Sequence, residues 1–317
     1  MSFWSATVSA AVMATPFPLK PYRGEQIEGQ FVFMNEMFDA LYRPATSSMR
    51  GAGISTGTMR VFQKILYGNF KWFFVVDIND RVKAFNELNA QTILNSTRKE
   101  YLENFPDSYW GTYGVFPPGY DQAMSQYTDG KARPLFASLH SDERYLPSRR
   151  DAEEMGWSLD QMYFNSDQAY AEMQRKLRST KLVSITNTVT SAEVAEKIAA
   201  FLKEQRVPLD LVDLSNIMDY VIKDRAQSQL VADFIRILAP SKVFFTISLP
   251  DREPYQRLLG NELEIGQNID TFRYYVSSPE SFIELVENRP AFSGTKPQLL
   301  MQTGELCNRR VSKKKRR

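Results

Sequence analysis

Cysteine and histidine are almost absent from the 317-residue chain, which carries one of each, Cys307 and His140. A single cysteine excludes a disulfide within the chain and any zinc site built from several thiolates. A single histidine excludes a histidine-rich metal site. A Ser-His-Asp triad would have to use His140 without the G-x-S-x-G turn that usually carries the serine. We therefore expect no metal site and disfavour serine-hydrolase chemistry.

Net charge and long apolar runs are also lacking. The 39 Lys and Arg residues against 37 Asp and Glu leave a net charge of +2, which gives no electrostatic signal for nucleic-acid binding. No stretch approaches the roughly 20 apolar residues of a membrane span. The strong charge run is the basic stretch from Arg309 to Arg317. We interpret residues 293–317 as a flexible basic tail, with contact to an anionic partner as the alternative.

The beginning of the chain, MSFWSATVSAAVMATPF, has the small and apolar composition of a weak signal peptide, with VMA as a candidate cleavage site. Signal peptides normally carry Lys or Arg before the apolar run, and this segment has none. We therefore predict a cytoplasmic protein, with export as the alternative. Residues 1–30 are interpreted as an N-terminal extension.

Strand-like and helix-like segments alternate from residue 47 to residue 249. The run KWFFVVDI is continuously hydrophobic, as in a strand buried on both faces. TGTMRVFQKILYG and DRVKAFNELNAQTILNSTRKEYLENF each have the apolar spacing of one helix. The order predicts an α/β fold with a doubly wound, mostly parallel sheet and helices on both faces. We expect a single domain over 31–292, interrupted by an irregular insertion at about 106–156.

The first predicted strand–helix connection is rich in glycine, with the sequence GAGISTG from Gly51 to Gly57. In doubly wound sheets, ligands bind beyond the carboxyl ends of the strands, and glycine lets the backbone approach them closely. The next predicted strand ends at Asp77, 24 residues after Gly53, near the spacing at which an acid meets a ribose. This pattern predicts a nucleotide-type cofactor pocket. The alternative is a tight turn followed by a strand-end acid that caps the next helix.

Four short motifs resemble, in their order, an uncharacterised bacterial family of methyltransferase-like proteins within the class I S-adenosylmethionine (SAM)-dependent methyltransferase fold. The motifs are Asn35-Glu36, Gly51 with Gly53, Asp77 in VVDIND, and DLSNIMDYV at 213–221. The resemblance spans about residues 31–290. It implies a Rossmann-like fold of methyltransferase type that binds SAM and methylates an unknown acceptor. Asp77 would bond the ribose, and the two glycines would pass under the methionine part.

The resemblance also implies two sets of site residues. The cofactor-binding candidates are Gly51, Gly53, Ser55, Asp77, Ile78, Asn187 and Ser215, and the catalytic candidates are Asp213, Asn216 and Tyr220. Asn187 is the polar residue nearest to the position where such folds often carry an acid for the adenine amine. Asp213 or Asn216 would orient a nucleophile, and Tyr220 would close the pocket. The alternative is structural, with Asp213 as a hydrogen-bonded strand end and Ser215-Asn216 as a helix cap.

Two other functions stay open. Because the third strand lacks the acid, the chain could be a degenerate methyltransferase-fold protein that binds a protein partner through its aromatic insertion, SYWGTYGVFPPGYDQ. Packing of those aromatic residues under a long loop is the structural alternative. An NAD-dependent oxidoreductase is less favoured, because the glycine turn lacks the G-x-G-x-x-G spacing of dinucleotide sites.

Overall fold

A computed structural model describes seven stretches of the chain. They are residues 12–24, 42–103, 163–215, 217–218, 224–248, 272–287 and 298–302. The insertion predicted at 106–156 lies outside these residues. So do Asn216, Tyr220 and the Asn35-Glu36 motif.

An eight-stranded sheet forms the centre of the protein. Its strands are β1 (Val12–Met13), β2 (Ala52–Ser55), β3 (Trp72–Asp77), β4 (Lys181–Thr186), β5 (Leu209–Asp213), β6 (Lys242–Ser248), β7 (Phe272–Ser277) and β8 (Gln298–Gln302). Their order across the sheet is β1-β4-β3-β2-β5-β6-β7-β8. The pairs from β1 to β6 are parallel, whereas β7 is antiparallel to both of its neighbours. The five strands from β4 to β6 follow the 3-2-1-4-5 order of doubly wound sheets, so the strand order reverses between β2 and β5.

Helices cover both faces of this sheet. They are α1 (Arg43–Thr46), α2 (Met59–Tyr67), α3 (Asp80–Asn95), α4 (Arg98–Glu103), α5 (Asp167–Ser179), α6 (Ala192–Glu204), α7 (Arg225–Leu238) and α8 (Pro279–Glu287). Phe73 of β3 packs in one hydrophobic cluster with α2, α3 and α5, and Phe74 packs in a second cluster with α6, α7 and α8. Successive strand residues point to opposite faces, so the two clusters lie on opposite sides of the sheet. The predicted α/β fold with a mostly parallel sheet is confirmed.

The central strand β3 shows why the hydrophobic pattern identified the sheet. All six of its residues are buried, and it pairs in parallel with β2 on one side and β4 on the other. A strand covered on both faces and both edges has no position for a solvent-facing polar side chain. The stretch from Trp72 to Val76 is continuously apolar for that reason.

The helix predicted over DRVKAFNELNAQTILNSTRKEYLENF is wrong as a single element, because it divides into α3 and α4. Thr97 begins the second helix with a capping box. The Thr97 N–H donates to the Glu100 carboxylate at 2.7 Å, and the Glu100 N–H donates to Thr97 Oγ1 at 3.2 Å. This exchange satisfies backbone groups at a new helix start and competes with continuation of α3.

The two short outer strands lie in segments that the sequence assigned to an extension and a tail. In β1, Val12 pairs with Leu182 and Met13 with Val183. In β8, Gln298–Gln302 pairs with β7. Strands of two and five residues at a sheet edge carry little periodicity, so the sequence did not reveal them. Within the described stretches, no helix has the length and apolar character needed to cross a membrane, as predicted.

Candidate functional site

The turn between β2 and α2 is shorter than the sequence predicted. Ala52–Ser55 forms the strand and the helix begins at Met59, so the connection consists of residues 56–58. Its glycine is Gly57, whose φ of 82° lies in the left-handed region that favours glycine. The prediction that Gly51 and Gly53 lie in this turn is wrong.

Gly51 and Gly53 are instead required for packing. Gly53 lies within β2, where an added Cβ would come within 2.6 Å of the Phe73 ring. Gly51 precedes β2 at the amino end of the sheet, where an added Cβ would lie 2.2 Å from the Pro208 carbonyl oxygen. Ligands of doubly wound sheets bind at the opposite, carboxyl end. The glycine-rich composition of this segment therefore reflects close contact between elements.

Asp77 ends β3 and contacts the turn directly. Its Oδ2 accepts hydrogen bonds from Thr56 Oγ1 at 2.8 Å and from the Gly57 N–H at 3.0 Å. Its Oδ1 accepts one from the Asn79 N–H at 3.0 Å. On the other side of the turn, the Asn86 side-chain amide donates to the Gly57 carbonyl at 2.8 Å. Asp77 therefore fixes the turn and also the beginning of the segment that leads into α3.

Asp77 is only 7% exposed. Burial raises its pKa above the ordinary value for aspartate, because a charged group loses its hydration. The hydrogen bonds from Asn79, Thr56 and Gly57 oppose this shift by stabilising the charged form, but burial outweighs them.

Asp213, the last residue of β5, lies beside Ser55 at the point where the strand order reverses. Its carboxylate binds Arg60 Nε at 3.2 Å and Arg60 Nη2 at 2.9 Å. Lys64 Nζ lies 3.0 Å from Oδ2, and the Ser215 N–H donates to Oδ1 at 3.1 Å. The side chains of Arg60, Lys64 and Asp213 are at most 3% exposed. We call these three residues the buried ion cluster.

The electrostatics of Asp213 differ from those of Asp77. Burial alone would raise the pKa of Asp213, but the adjacent positive charges of Arg60 and Lys64 outweigh that effect. The pKa of Asp213 therefore lies below its ordinary value, and the group is ionised at neutral pH. Because both of its oxygens are engaged, the geometry favours the structural interpretation of Asp213 over a role as a proton acceptor.

Sequence reasoning missed Arg60 and Lys64. Together with Gln63 and Tyr67 they form a stripe of polar side chains at helical spacing on α2, and such a stripe usually marks a solvent-exposed face. Here all four residues are buried. The signal that could have revealed them is the pairing of two cations at i and i+4 with a strand-end acid.

The remaining described candidates lie at the same edge of the sheet. Ser215 adopts a φ of 55°, a strained conformation for serine, and its carbonyl accepts a hydrogen bond from the Thr246 N–H at 2.8 Å. Asn187 follows β4, and its N–H donates to the Asp77 carbonyl at 2.8 Å. Asn187 Oδ1 accepts from the Thr188 N–H at 2.9 Å. Ile78 follows Asp77 and is half-buried.

The carboxyl edge of the sheet therefore brings together polar residues from four neighbouring strand ends. They are Ser55, Asp77, Asn187, Asp213 and Ser215. No group of three or more His, Cys, Asp or Glu side chains suited to a metal ion occurs in the stretches that the structure describes.

The fold and this edge define an α/β protein with a doubly wound sheet. The chain belongs to the family described as "Domain of unknown function (DUF7790)", whose sequence model matches residues 31–239. That range contains the five edge residues, Arg60 and Lys64. Comparison with curated proteins finds no match to the chain.

Proposed function

We propose that the protein binds SAM at the carboxyl edge of its sheet and transfers its methyl group to an acceptor. The observation that supports this proposal most is the meeting of Ser55, Asp77 and Asp213 on three adjacent strand ends, around the reversal of strand order. Ligands of doubly wound sheets bind at such a reversal. Asp77 ends the strand that follows the first turn, and an acid at this position can reach a ribose.

The chain's own residues would hold the nucleoside part of SAM. Asp77 uses three of the roughly four lone-pair sites of a carboxylate, so one site remains for a ligand hydroxyl. Asn187 lies beside it, and Oδ1 is the atom of its side chain that bonds the backbone. Its amide NH₂ can then donate to the ligand. SAM would supply an electrophilic methyl group, and transfer of that group depends mainly on positioning of the acceptor.

A second function is favoured by the buried ion cluster. Arg60 and Lys64 form ion pairs with the Asp213 carboxylate. The turn donates two hydrogen bonds to the Asp77 carboxylate. When the carboxylates at the sheet edge already bind donors of the same chain, the methyltransferase fold can be kept without methyl transfer. In that case the protein would be a degenerate methyltransferase-fold member that binds a protein partner.

Calorimetric titration of the full chain with SAM, S-adenosylhomocysteine and NAD separates these functions. The informative variant is Asp77→Asn. Its matched control is Asp210→Asn, since Asp210 accepts hydrogen bonds from the Arg50 and Gly51 N–H groups at the amino end of β2. We expect saturable binding of SAM to the wild type and the control, and binding weakened about tenfold by Asp77→Asn, the effect of one lost hydrogen bond to a charged group.

Two other results would contradict the methyltransferase proposal. Absence of binding with all three ligands would favour the partner-binding function. Selective binding of NAD would favour an oxidoreductase.

A further inference from the structure

We propose that Asp77 determines ligand class, because its carboxylate occupies the anion-binding cradle of the first strand–helix turn and leaves the edge open only to ligands without phosphate groups. The inference rests on the proposed function for the identity of the ligand. The cradle itself is defined by contacts within the chain.

The donors of the cradle are the Thr56 hydroxyl and the Gly57 N–H, which immediately precede α2. The first turn of α2 contains no acidic residue, and the side chain of Thr58 makes no capping hydrogen bond at the helix start. The beginning of such a helix carries a partial positive charge and attracts an anion. In dinucleotide-binding proteins, the pyrophosphate lies at this place.

In this chain the anion is internal. Asp77 Oδ2 accepts from both cradle donors, at 2.8 and 3.0 Å. The Asn79 N–H holds the second oxygen, and the Asn86 amide holds the Gly57 carbonyl on the other side. The carboxylate is therefore held by the turn after β2 and by the segment between β3 and α3, and Asn86 of α3 holds the turn itself. It is not a side chain that moves aside at low cost.

A phosphate group would meet two obstacles at this turn. It would have to break both bonds between Asp77 and the cradle, and it would bring a second negative charge next to the first. Repulsion between like charges is strong where water is largely excluded. A nucleoside whose remaining part is neutral or cationic, such as a thioether or a sulfonium, meets neither obstacle.

The test is binding of inorganic pyrophosphate to the full chain, measured by calorimetry. We compare the wild type with Asp77→Ala, which empties the cradle, and with Asp77→Asn, which removes the charge but keeps the volume. Asp210→Ala is the control, because it removes one acid and frees two N–H groups at the opposite end of β2. Thermal unfolding establishes which variants are folded.

We expect no saturable pyrophosphate binding by the wild type or by Asp210→Ala. Asp77→Ala should bind pyrophosphate saturably, about tenfold more tightly than the upper limit of affinity that the wild type allows, as expected for an anion at a partly buried helix start. Asp77→Asn should show a smaller gain. If Asp77→Ala does not fold, any gain in Asp77→Asn over the control decides in favour of the proposal.

The proposal is overturned if the folded Asp77 variants gain no affinity, or if Asp210→Ala gains as much, since the effect would then reflect net charge alone. This outcome is distinguishable from failure of the proposed function. If the wild type binds SAM but the Asp77 variants do not bind pyrophosphate, only the proposed role of Asp77 is overturned. If the Asp77 variants gain pyrophosphate binding but the wild type does not bind SAM, only the identity of the ligand is overturned.

Discussion

Arg60 of α2 binds Asp213 of β5 through two nitrogens, with Nη2 2.9 Å from Oδ1 and Nε 3.2 Å from Oδ2. Lys64, one helical turn later, adds a third contact to the same carboxylate. Burial of charges costs hydration, so such a cluster adds little net stability compared with apolar packing. Removing one charged member of the cluster strongly destabilises the fold, however, because the remaining charges stay buried without their partner.

We therefore predict that Asp213→Asn strongly destabilises the fold. The variant leaves two buried cations without their shared anion, and we expect a loss of about 3–5 kcal/mol in the free energy of unfolding. Urea denaturation measures this loss. Asp233→Asn is the control, since Asp233 is an exposed partner of Arg236, and it should cost less than about 1 kcal/mol. Equal losses in the two variants would show that the buried ion cluster does not hold α2 against β5.

The same cluster predicts a dependence of stability on acid pH. Because the pKa of Asp213 is lowered in the folded chain, the unfolded chain binds a proton at higher pH than the folded chain does. The contribution of Asp213 is therefore present above about pH 4 and is lost as the pH falls through the folded-state pKa. The stability contribution of Asp77 changes with pH in the opposite direction. Because burial raises its pKa in the folded chain, ionisation of Asp77 lowers stability as the pH rises.

The acid effect can be isolated by comparing urea midpoints of the wild type and Asp213→Asn across this pH range. The difference between the two proteins should shrink as the pH falls below about 4. A difference that stays constant would mean that the Asp213 carboxylate titrates at its ordinary pKa.

A buried hydroxyl network links α3 and α4 to the chain just before α5. Tyr101 Oη lies 2.6 Å from Tyr163 Oη and donates to Asn89 Oδ1 at 2.9 Å. All three residues are 0% exposed. We predict that Tyr101→Phe costs about 1–3 kcal/mol, because buried acceptors lose a donor. A double-mutant cycle with Tyr163→Phe should give a coupling energy above about 0.5 kcal/mol, and additive losses would contradict a direct bond.

The architecture was predictable from the sequence because burial in a parallel sheet leaves a strong pattern. β3 is apolar at nearly every position. α6 begins after Ser191, whose side chain caps the helix by accepting a hydrogen bond from the Val194 N–H. These features are local, so a window of ten residues contains them. The edge position of Asp77 followed from the same reasoning, since a strand that ends on an acid places it at the carboxyl edge.

The details of the site were not predictable, because they depend on contacts between distant segments. Gly53 looks like a ligand-binding glycine in the sequence, but it is explained by the Phe73 ring of the neighbouring strand. Arg60 and Lys64 look solvent-exposed until β5 supplies the buried partner 153 residues away from Arg60. The hydrogen bonds between Asp77 and the turn likewise depend on the register in which β2 pairs with β3.

Alkaline pH tests the packing of α5 against α3. Burial raises the pKa of Tyr170 to about 12, the hydrogen bond with Ser96 opposes this shift, and the charge of Glu100 adds to it. The unfolded chain loses this proton near pH 10, so stability should fall between about pH 10 and about pH 12. Denaturation midpoints should fall more steeply for the wild type than for Tyr170→Phe over this range. Parallel curves would show that the Tyr170 hydroxyl is not protected from ionisation.

The edge strand β1 gives a test of whether the beginning of the chain belongs to the folded domain. Val12 and Met13 pair with β4, and their half-buried side chains pack against the two hydrophobic clusters, one on each face of the sheet. A protein that begins at residue 12 keeps this strand, whereas one that begins at residue 15, as after cleavage behind VMA, lacks it. We expect the shorter protein to be less stable by about 1–3 kcal/mol, the value of burying one or two apolar side chains. Urea denaturation of the two proteins measures the difference. Equal stability would show that β1 contributes nothing, and would leave the VMA site open to processing without cost to the fold.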